Sequence, residues 1–385
     1  MLHVCHTFGD SALCRMVARK PPNVDRADWM VRSPAMAVVK PFRAFRYDED
    51  VAGPLERLVA PPYDVIDASQ REELQARSPF NVVHLTVPDD PEDAARLWRE
   101  WQSDGVVVRE PEPSFWALQQ DYVGPDGVRR TRRGLVASLH PEPYERRVVL
   151  PHERTHAGPK EDRLQLLRVT NVHFEPIFLL YDGAPPFEFP SGPPDVETED
   201  AKLWRVPGEG IEDAFADQQL LIADGHHRYE TALAYGAGTI PVVLVSTEDP
   251  GLMIFPTHRV AERVNGPAPA LADLSTALAE LEAESPDRAA TVLYRRSDDI
   301  ALVQGREGEL DVQLVESMAP QGVTYTPSVE EAVAAVDSGR AGGAFIVRPT
   351  RIEDVFRFAE RGETLPQKTT YFYPKLLSGL LFHSE

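Results

Sequence analysis

Cysteine is almost missing: Cys5 and Cys14 are the whole supply in a chain of 385 residues, and both precede Met36. That excludes a disulfide framework and a cysteine-built metal site. Long apolar runs are missing too, since none approaches the roughly 20 residues that a membrane-spanning helix needs. His3, His6, Asp10 and Arg15 interrupt any apolar core that a signal peptide would require. Basic charge is scarce, with 40 Lys plus Arg against 61 Asp plus Glu and a formal net charge of −21. A surface that tracks a nucleic-acid backbone needs the opposite balance. No stretch fits the Gly-x-x-x-x-Gly-Lys-Ser/Thr loop, which excludes an ordinary P-loop kinase. An acidic protein of the cytoplasm is expected, with neither nucleic acid nor membrane as partner; the oligomeric state is left open.

What is present centres on Leu220 to Ala232. A short apolar run reads as a buried strand that breaks at Asp224-Gly225, and a helical pattern follows to Tyr235 before Gly236 ends it as a C-terminal cap. Asp224 is expected to cap the new helix and Gly225 to allow close approach to the backbone. The free N–H groups of the first turn, with His226, His227 and Arg228, then make an anion site suited to phosphate. The bland alternative is a cap followed by polar surface.

The segment Ala223 to Ala232 resembles the signature of the family known as domain of unknown function 1015. The resemblance extends to Pro61-Pro62-Tyr63-Asp64-Val65, to His152-Glu153-Arg154-Thr155 with Lys160-Glu161-Asp162-Arg163-Leu164, and to Lys368-Thr369-Thr370-Tyr371-Phe372-Tyr373-Pro374-Lys375. It runs from about Val38 to the C-terminus. The Asp-Gly-His-His-Arg core is also similar to the phosphate-contacting turn of the ParB/sulfiredoxin superfamily, which includes a free serine kinase. A glutamate upstream of the phosphate turn is the proposed base in that kinase, and Glu153 matches it by order and residue type. The other reading of Glu153 is a salt-bridged structural carboxylate.

His152, Glu153 and His156 also spell His-Glu-x-x-His, the zinc-protease pattern, which requires one helix to carry both histidines on one face. Pro151 and the pair Gly158-Pro159 leave little room for such a helix, so the match is read as accidental.

Residues 1–36 show no period and read as a disordered extension, with Met36 the functional start and Trp29 the best support for a docking segment instead. Residues 37–140 read as an N-terminal α/β unit, 141–264 as a ParB/sulfiredoxin-like core and 265–385 as a smaller α/β unit with an aromatic, lysine-bearing tail. Within them, 81–87 alternates like a strand, 174–181 reads as a strand and 268–284 as a helix. Phe115 to Tyr122 and Arg129 to Leu139 flank a hairpin signal at Gly124-Pro125-Asp126-Gly127. Tyr63 and Asp64 read either as ligand contacts or as a structural turn. His258 and Arg259 read as pocket residues or, for His258, as a core histidine. Lys368 or Lys375 would reach a phosphate if the tail folds back.

These readings combine into an α/β, α+β-mixed enzyme that uses a nucleotide to phosphorylate a small hydroxylated substrate. Catalytic candidates are Glu153, Asp224 and His226. Gly225, His226, His227, Arg228, Lys160, Arg163 and Lys368 would hold the nucleotide and its phosphates. Mg²⁺ is expected with ADP or ATP, with Asp224 its most obvious carboxylate, and zinc is not expected. The alternatives are a nucleotide-binding switch and a zinc hydrolase using His152, Glu153 and His156.

Overall fold

The computed structural model describes residues 37–153, 157–268 and 270–384, with 157–160 as backbone alone. The expected extension over 1–36 lies outside the described residues, as does His156. The fold is mixed α/β.

Among the described residues the largest sheet has nine strands. They are β1 (Val39–Lys40), β2 (Phe115–Val123), β3 (Arg129–Leu139), β4 (Val149–Leu150), β5 (Ile177–Tyr181), β6 (Val196–Glu197), β7 (Ala201–Val206), β8 (Leu220–Asp224) and β9 (Ile240–Ser246). Their order is β4-β8-β5-β9-β3-β2-β7-β6, with β1 also paired to β3. β8 runs parallel to β4 and antiparallel to β5, and β5 runs parallel to β9. The central strands are apolar without a break because both sheet faces are covered. Leu221, Ala223, Phe178, Leu180, Val243 and Val245 face one core, while Leu220, Ile222, Ile177, Leu179, Val242 and Leu244 face the other. Successive strand residues point to opposite faces, which is why one run supplies both cores.

A second sheet of five strands follows: β10 (His258–Arg263), β11 (Arg288–Arg296), β12 (Asp299–Glu307), β13 (Gln321–Thr326) and β14 (Gly343–Ile346), in the order β12-β11-β14-β10-β13. Its core gathers Val260, Val292, Ile300, Ala332 and Ile346 against the helices Leu274–Ala283 and Val329–Asp337. The tail returns to the body of the protein, where Tyr371–Tyr373 pairs antiparallel with Met253–Phe255. No described helix is long and apolar enough to cross a membrane.

Several elements differ from the sequence reading. Residues 81–87 hold a helix, Val83–Thr86, and not a strand. The Asn81 side chain accepts from the Val83 N–H at 3.0 Å and donates to the Arg57 and Val59 carbonyls, which sets a turn there. Val82, Val83 and Leu85 are all fully buried, so the alternation does not mark a one-sided strand. The strand expected from Phe174 begins at Ile177, after Pro176. The helix expected from 268 begins at Leu274, because Asp273 accepts from the Thr276 N–H at 2.9 Å and caps it. The helix Ala157–Thr170 contains Gly158-Pro159 in its first turn, where a proline's missing N–H costs nothing.

Candidate functional site

Strand β8 delivers Asp224 to the end of the sheet. Its pairing with β5 shifts register between Ile222 and Asp224, and such an irregularity re-aims the side chain that follows. The chain then turns through Gly225 at φ +99° and ψ 27° into the helix His226–Tyr235, which Gly236 closes at φ +81°. A Cβ on Gly225 would lie 3.1 Å from the Arg228 guanidinium, so glycine is needed both for the left-handed backbone and for that approach.

Asp224 is not the helix cap. Gly225 occupies the cap position, and the carboxylate turns to cations instead. Its Oδ2 accepts from Arg228 Nη2 at 2.6 Å and its Oδ1 from Lys375 Nζ, while Arg228 Nη1 also donates to the Pro176 carbonyl. Two positive partners offer a buried carboxylate far more than a single N–H would. Burial pushes the Asp224 carboxyl up, but Lys375 and Arg228 outweigh it and hold it at about 2. Arg228 is also drawn toward buried Glu175, which accepts from the Tyr63 N–H at 2.9 Å and the Ser378 hydroxyl at 2.8 Å. Burial raises the Glu175 pKa above its usual range.

His226, the first histidine of the turn, is neutral. His226 Nε2 accepts from the His152 N–H at 3.3 Å, and the two rings meet edge-on with centroids 4.7 Å apart. His152 donates from Nδ1 to the Ile222 carbonyl at 2.7 Å and accepts at Nε2 from the Thr370 hydroxyl at 2.8 Å. Burial carries His152 down to about 4 and His226 well below its usual value. With both ring nitrogens engaged inside the protein, His152 has no lone pair to give a metal.

Glu153 stands in extended backbone before the helix, bridged in parallel to Leu365, and the Leu365 N–H donates to the His152 carbonyl at 2.8 Å. This brings Lys368 to it: the Lys368 N–H donates to the Glu153 carboxylate, and its ammonium charge acts on the same group. Burial raises Glu153 above the usual carboxylate range, with Lys368 opposing. Lys368 itself has φ +56°, a strained value for a residue with a side chain.

The turn, Glu153, Lys368 and Lys375 meet in one cavity of about 670 Å³, a size suited to a small-molecule ligand. Its wall comes from the turn Asp224 to Arg228, from Glu153, from Tyr63 to Val65, from Thr257, from Tyr325 to Pro327 and from the tail at Gln367, Lys368, Thr370, Tyr371 and Lys375.

The chain belongs to the family described as protein of unknown function (DUF1015). The match covers residues 39–319. No curated protein matches significantly. Among solved structures, a free serine kinase in complex with AMP is similar at 18% identity, covering 60% of this chain and 88% of that one, with a TM-score of 0.35. A conserved hypothetical protein from Pyrococcus furiosus is similar at 19% identity, covering 60% of this chain and 92% of that one, with a TM-score of 0.33. SbnI from Staphylococcus aureus, with a C-terminal truncation, is similar at 14% identity, covering 60% and 82%, with a TM-score of 0.34.

Of the sequence-nominated residues in this DUF1015 chain, Glu153, Asp224, Gly225, His226, His227, Arg228 and Lys368 line the cavity together. Arg163 does not: it donates to the Thr86 carbonyl and lies over the Tyr63 ring, 4.3 Å from its centroid, so it braces a wall residue from behind. Lys160 falls in the helix Ala157–Thr170, and its side chain lies outside the described residues. His258 is a core histidine whose Nδ1 accepts from the Val347 N–H at 3.3 Å. Glu175 and Tyr325 were not singled out from the sequence. Glu175 carries no local signal because its partners lie far off in the chain, and the strand around Tyr325 is too weakly patterned to mark itself in the sequence.

Among the described residues no cluster of His, Cys, Asp or Glu is arranged to hold a metal ion. Both Asp224 oxygens are already taken by cations, so Asp224 is not a ready ligand for Mg²⁺.

Proposed function

We propose that the cavity binds a nucleotide, ADP or ATP, and transfers its terminal phosphoryl group to a small hydroxylated acceptor. The carrying observation is the placement of Glu153, a carboxylate of raised proton affinity, in one cavity with the Gly225 to Arg228 turn and two lysines, Lys368 and Lys375. In this reading the N-terminal N–H groups of the helix receive phosphate oxygens. Glu153 takes the proton from the acceptor hydroxyl, whose oxygen forms the new bond to phosphorus as the bond to the leaving phosphate breaks. Lys368 and Lys375 stand where they neutralise the charge that develops, and Asp224 serves as counter-ion to Lys375 and Arg228 rather than as a metal ligand. Mg²⁺ would arrive on the nucleotide. The reading includes a ParB/sulfiredoxin-like core carrying the turn and a cytoplasmic location, where nucleotides are supplied.

The test is to incubate the full chain and Mg²⁺ with ADP or with ATP, and free serine, and to follow phosphorylated product by phosphorus NMR. Free serine comes first because the Asp-Gly-His-His-Arg turn resembles that of a serine kinase. Product that depends on the protein and on the acceptor is expected. A protein that binds neither nucleotide would overturn the proposal. Tight binding without turnover on any small alcohol would favour a switch, a reading supported by the grip of the tail lysine Lys375 on the phosphate turn.

A further inference from the structure

Few large apolar side chains are exposed among the described residues, and two of them, Val65 at 43% and Tyr325 at 41%, line the same cavity as the phosphate turn. Tyr325 lies on β13, one of the two edge strands of the five-stranded sheet, directly opposite Arg259 on β10. The Arg259 guanidinium covers one face of the Tyr325 ring, 5.6 Å from its centroid. Arg259 cannot readily move away, since it is buried and donates to the carbonyls of Thr257, Gln367 and Lys368. One ring face is therefore backed by a fixed cation, while the residue keeps 41% of its surface exposed and lines the cavity.

We propose that this ring is the nucleobase subsite and stacks the base of the bound nucleotide, preferentially a purine. The inference rests on the nucleotide reading above and adds the residue that recognises the base. A flat aromatic held in place from behind loses little freedom when a base stacks on it, so the contact is not offset by ordering cost. Every base offers a π-face, and a purine offers the larger one. Val65 adds apolar contact at the same cavity. The phosphates then extend toward Gly225 to Arg228, where the N–H groups and cations are, so one ligand spans an apolar end and a charged end.

The experiment compares binding of ADP, CDP and inorganic pyrophosphate to the full chain by calorimetry. Tyr325→Ala is expected to weaken ADP by about five- to 160-fold, the range for loss of one base–aromatic stack. Pyrophosphate affinity should stay unchanged, which also shows that the variant is folded. Tyr325→Phe should retain ADP affinity, and the wild-type preference for ADP over CDP should shrink in Tyr325→Ala. Unchanged ADP affinity in Tyr325→Ala, or an equal loss for pyrophosphate, would overturn the subsite. A wild type that binds pyrophosphate as tightly as ADP also overturns it while leaving a phosphate site. Binding of none of the three, nor of ATP added as a fourth ligand, overturns the nucleotide reading and this inference with it.

Discussion

The Lys375 ammonium ion-pairs with the Asp224 carboxylate across 151 residues of sequence, fastening the C-terminal tail to the turn that opens the central helix. The same carboxylate holds Arg228 at 2.6 Å, so one buried anion organises two cations of the cavity. Removing one cation tests this arrangement. Lys375→Met should destabilise the protein by about 1.5–3 kcal/mol at pH 7, the range for a hydrogen bond to a charged group. Asp224 is held at about 2, below its unfolded value, so its contribution is fully present above about pH 4 and is lost as pH falls toward 2. In Lys375→Met that acid-dependent loss should shrink. Chemical denaturation at pH 7 and pH 3 measures both, and equal stability of the two proteins at pH 7 would show that the pair contributes nothing.

Gly225 and Gly236 sit at the two ends of one helix, both with positive φ, yet they should respond differently to a methyl group. At Gly236 nothing lies within 4 Å of the added Cβ, so Gly236→Ala meets only backbone strain, about 1–2 kcal/mol. At Gly225 the Cβ presses on the Arg228 guanidinium at 3.1 Å as well. Gly225→Ala should therefore lose more stability and also weaken ADP binding, whereas Gly236→Ala should keep it. Melting temperatures with and without ADP read both effects. Equal behaviour of the two variants would deny that the close approach matters.

Two buried imidazoles set the response to mild acid. The folded values of His152, about 4, and of His226 lie below that of free histidine, so unfolding takes up protons between about pH 6.5 and 4. Stability from these groups is present above pH 6.5 and is lost as pH falls through that window, by roughly 3 kcal/mol for His152. Glu153 and Glu175, raised by burial, act in the opposite sense: their share is largest at low pH and is lost as pH rises through their folded values. The comparison of wild type with His152→Asn isolates the imidazole. The stability difference between them should narrow from pH 7 to pH 4, and a constant difference would show that His152 does not titrate on unfolding.

The central part of the site was legible because its signals are local. The apolar run Leu220 to Ala223 reads as a buried strand, Asp-Gly marks the break, and Gly236 marks the end of the helix. The hairpin over 115–139 was legible for the same reason, since Gly124 to Gly127 gives it a turn signal. The second partner of Asp224, Lys375, was not legible. A helix cap is a contact within a few residues, whereas Lys375 reaches Asp224 only because the tail folds back and pairs at Tyr371–Tyr373.

Positions misread in the sequence share a second cause, namely side chains that do more than pattern suggests. Asn81 turned an alternating run into a helix by binding three backbone groups. β13, from Gln321 to Thr326, escaped notice because an exposed edge strand needs no apolar alternation, and Tyr325 escaped with it. Arg163 was assigned by charge to a phosphate, but the structure spends that charge on Thr86 and the Tyr63 ring. Charge type alone does not show which way a long side chain turns.

Glu153 and Lys368 give the proposal its most direct kinetic signature. If Glu153 takes the acceptor proton, only its ionised form is active, so kcat/KM should rise with pH through a pKa above the usual carboxylate range. Glu153→Gln keeps an oxygen to accept the Lys368 N–H, so ADP affinity should hold while turnover falls by about 10²–10⁴ and the acid limb disappears. Lys368 lowers the Glu153 value, so Lys368→Ala removes that influence and should move the acid limb to higher pH. The shift has a fixed sign, which a merely structural lysine would not produce. pH–rate profiles of the three proteins, with ADP binding measured alongside, provide the check. An acid limb that survives in Glu153→Gln, or one that moves to lower pH in Lys368→Ala, would remove Glu153 from the role of base.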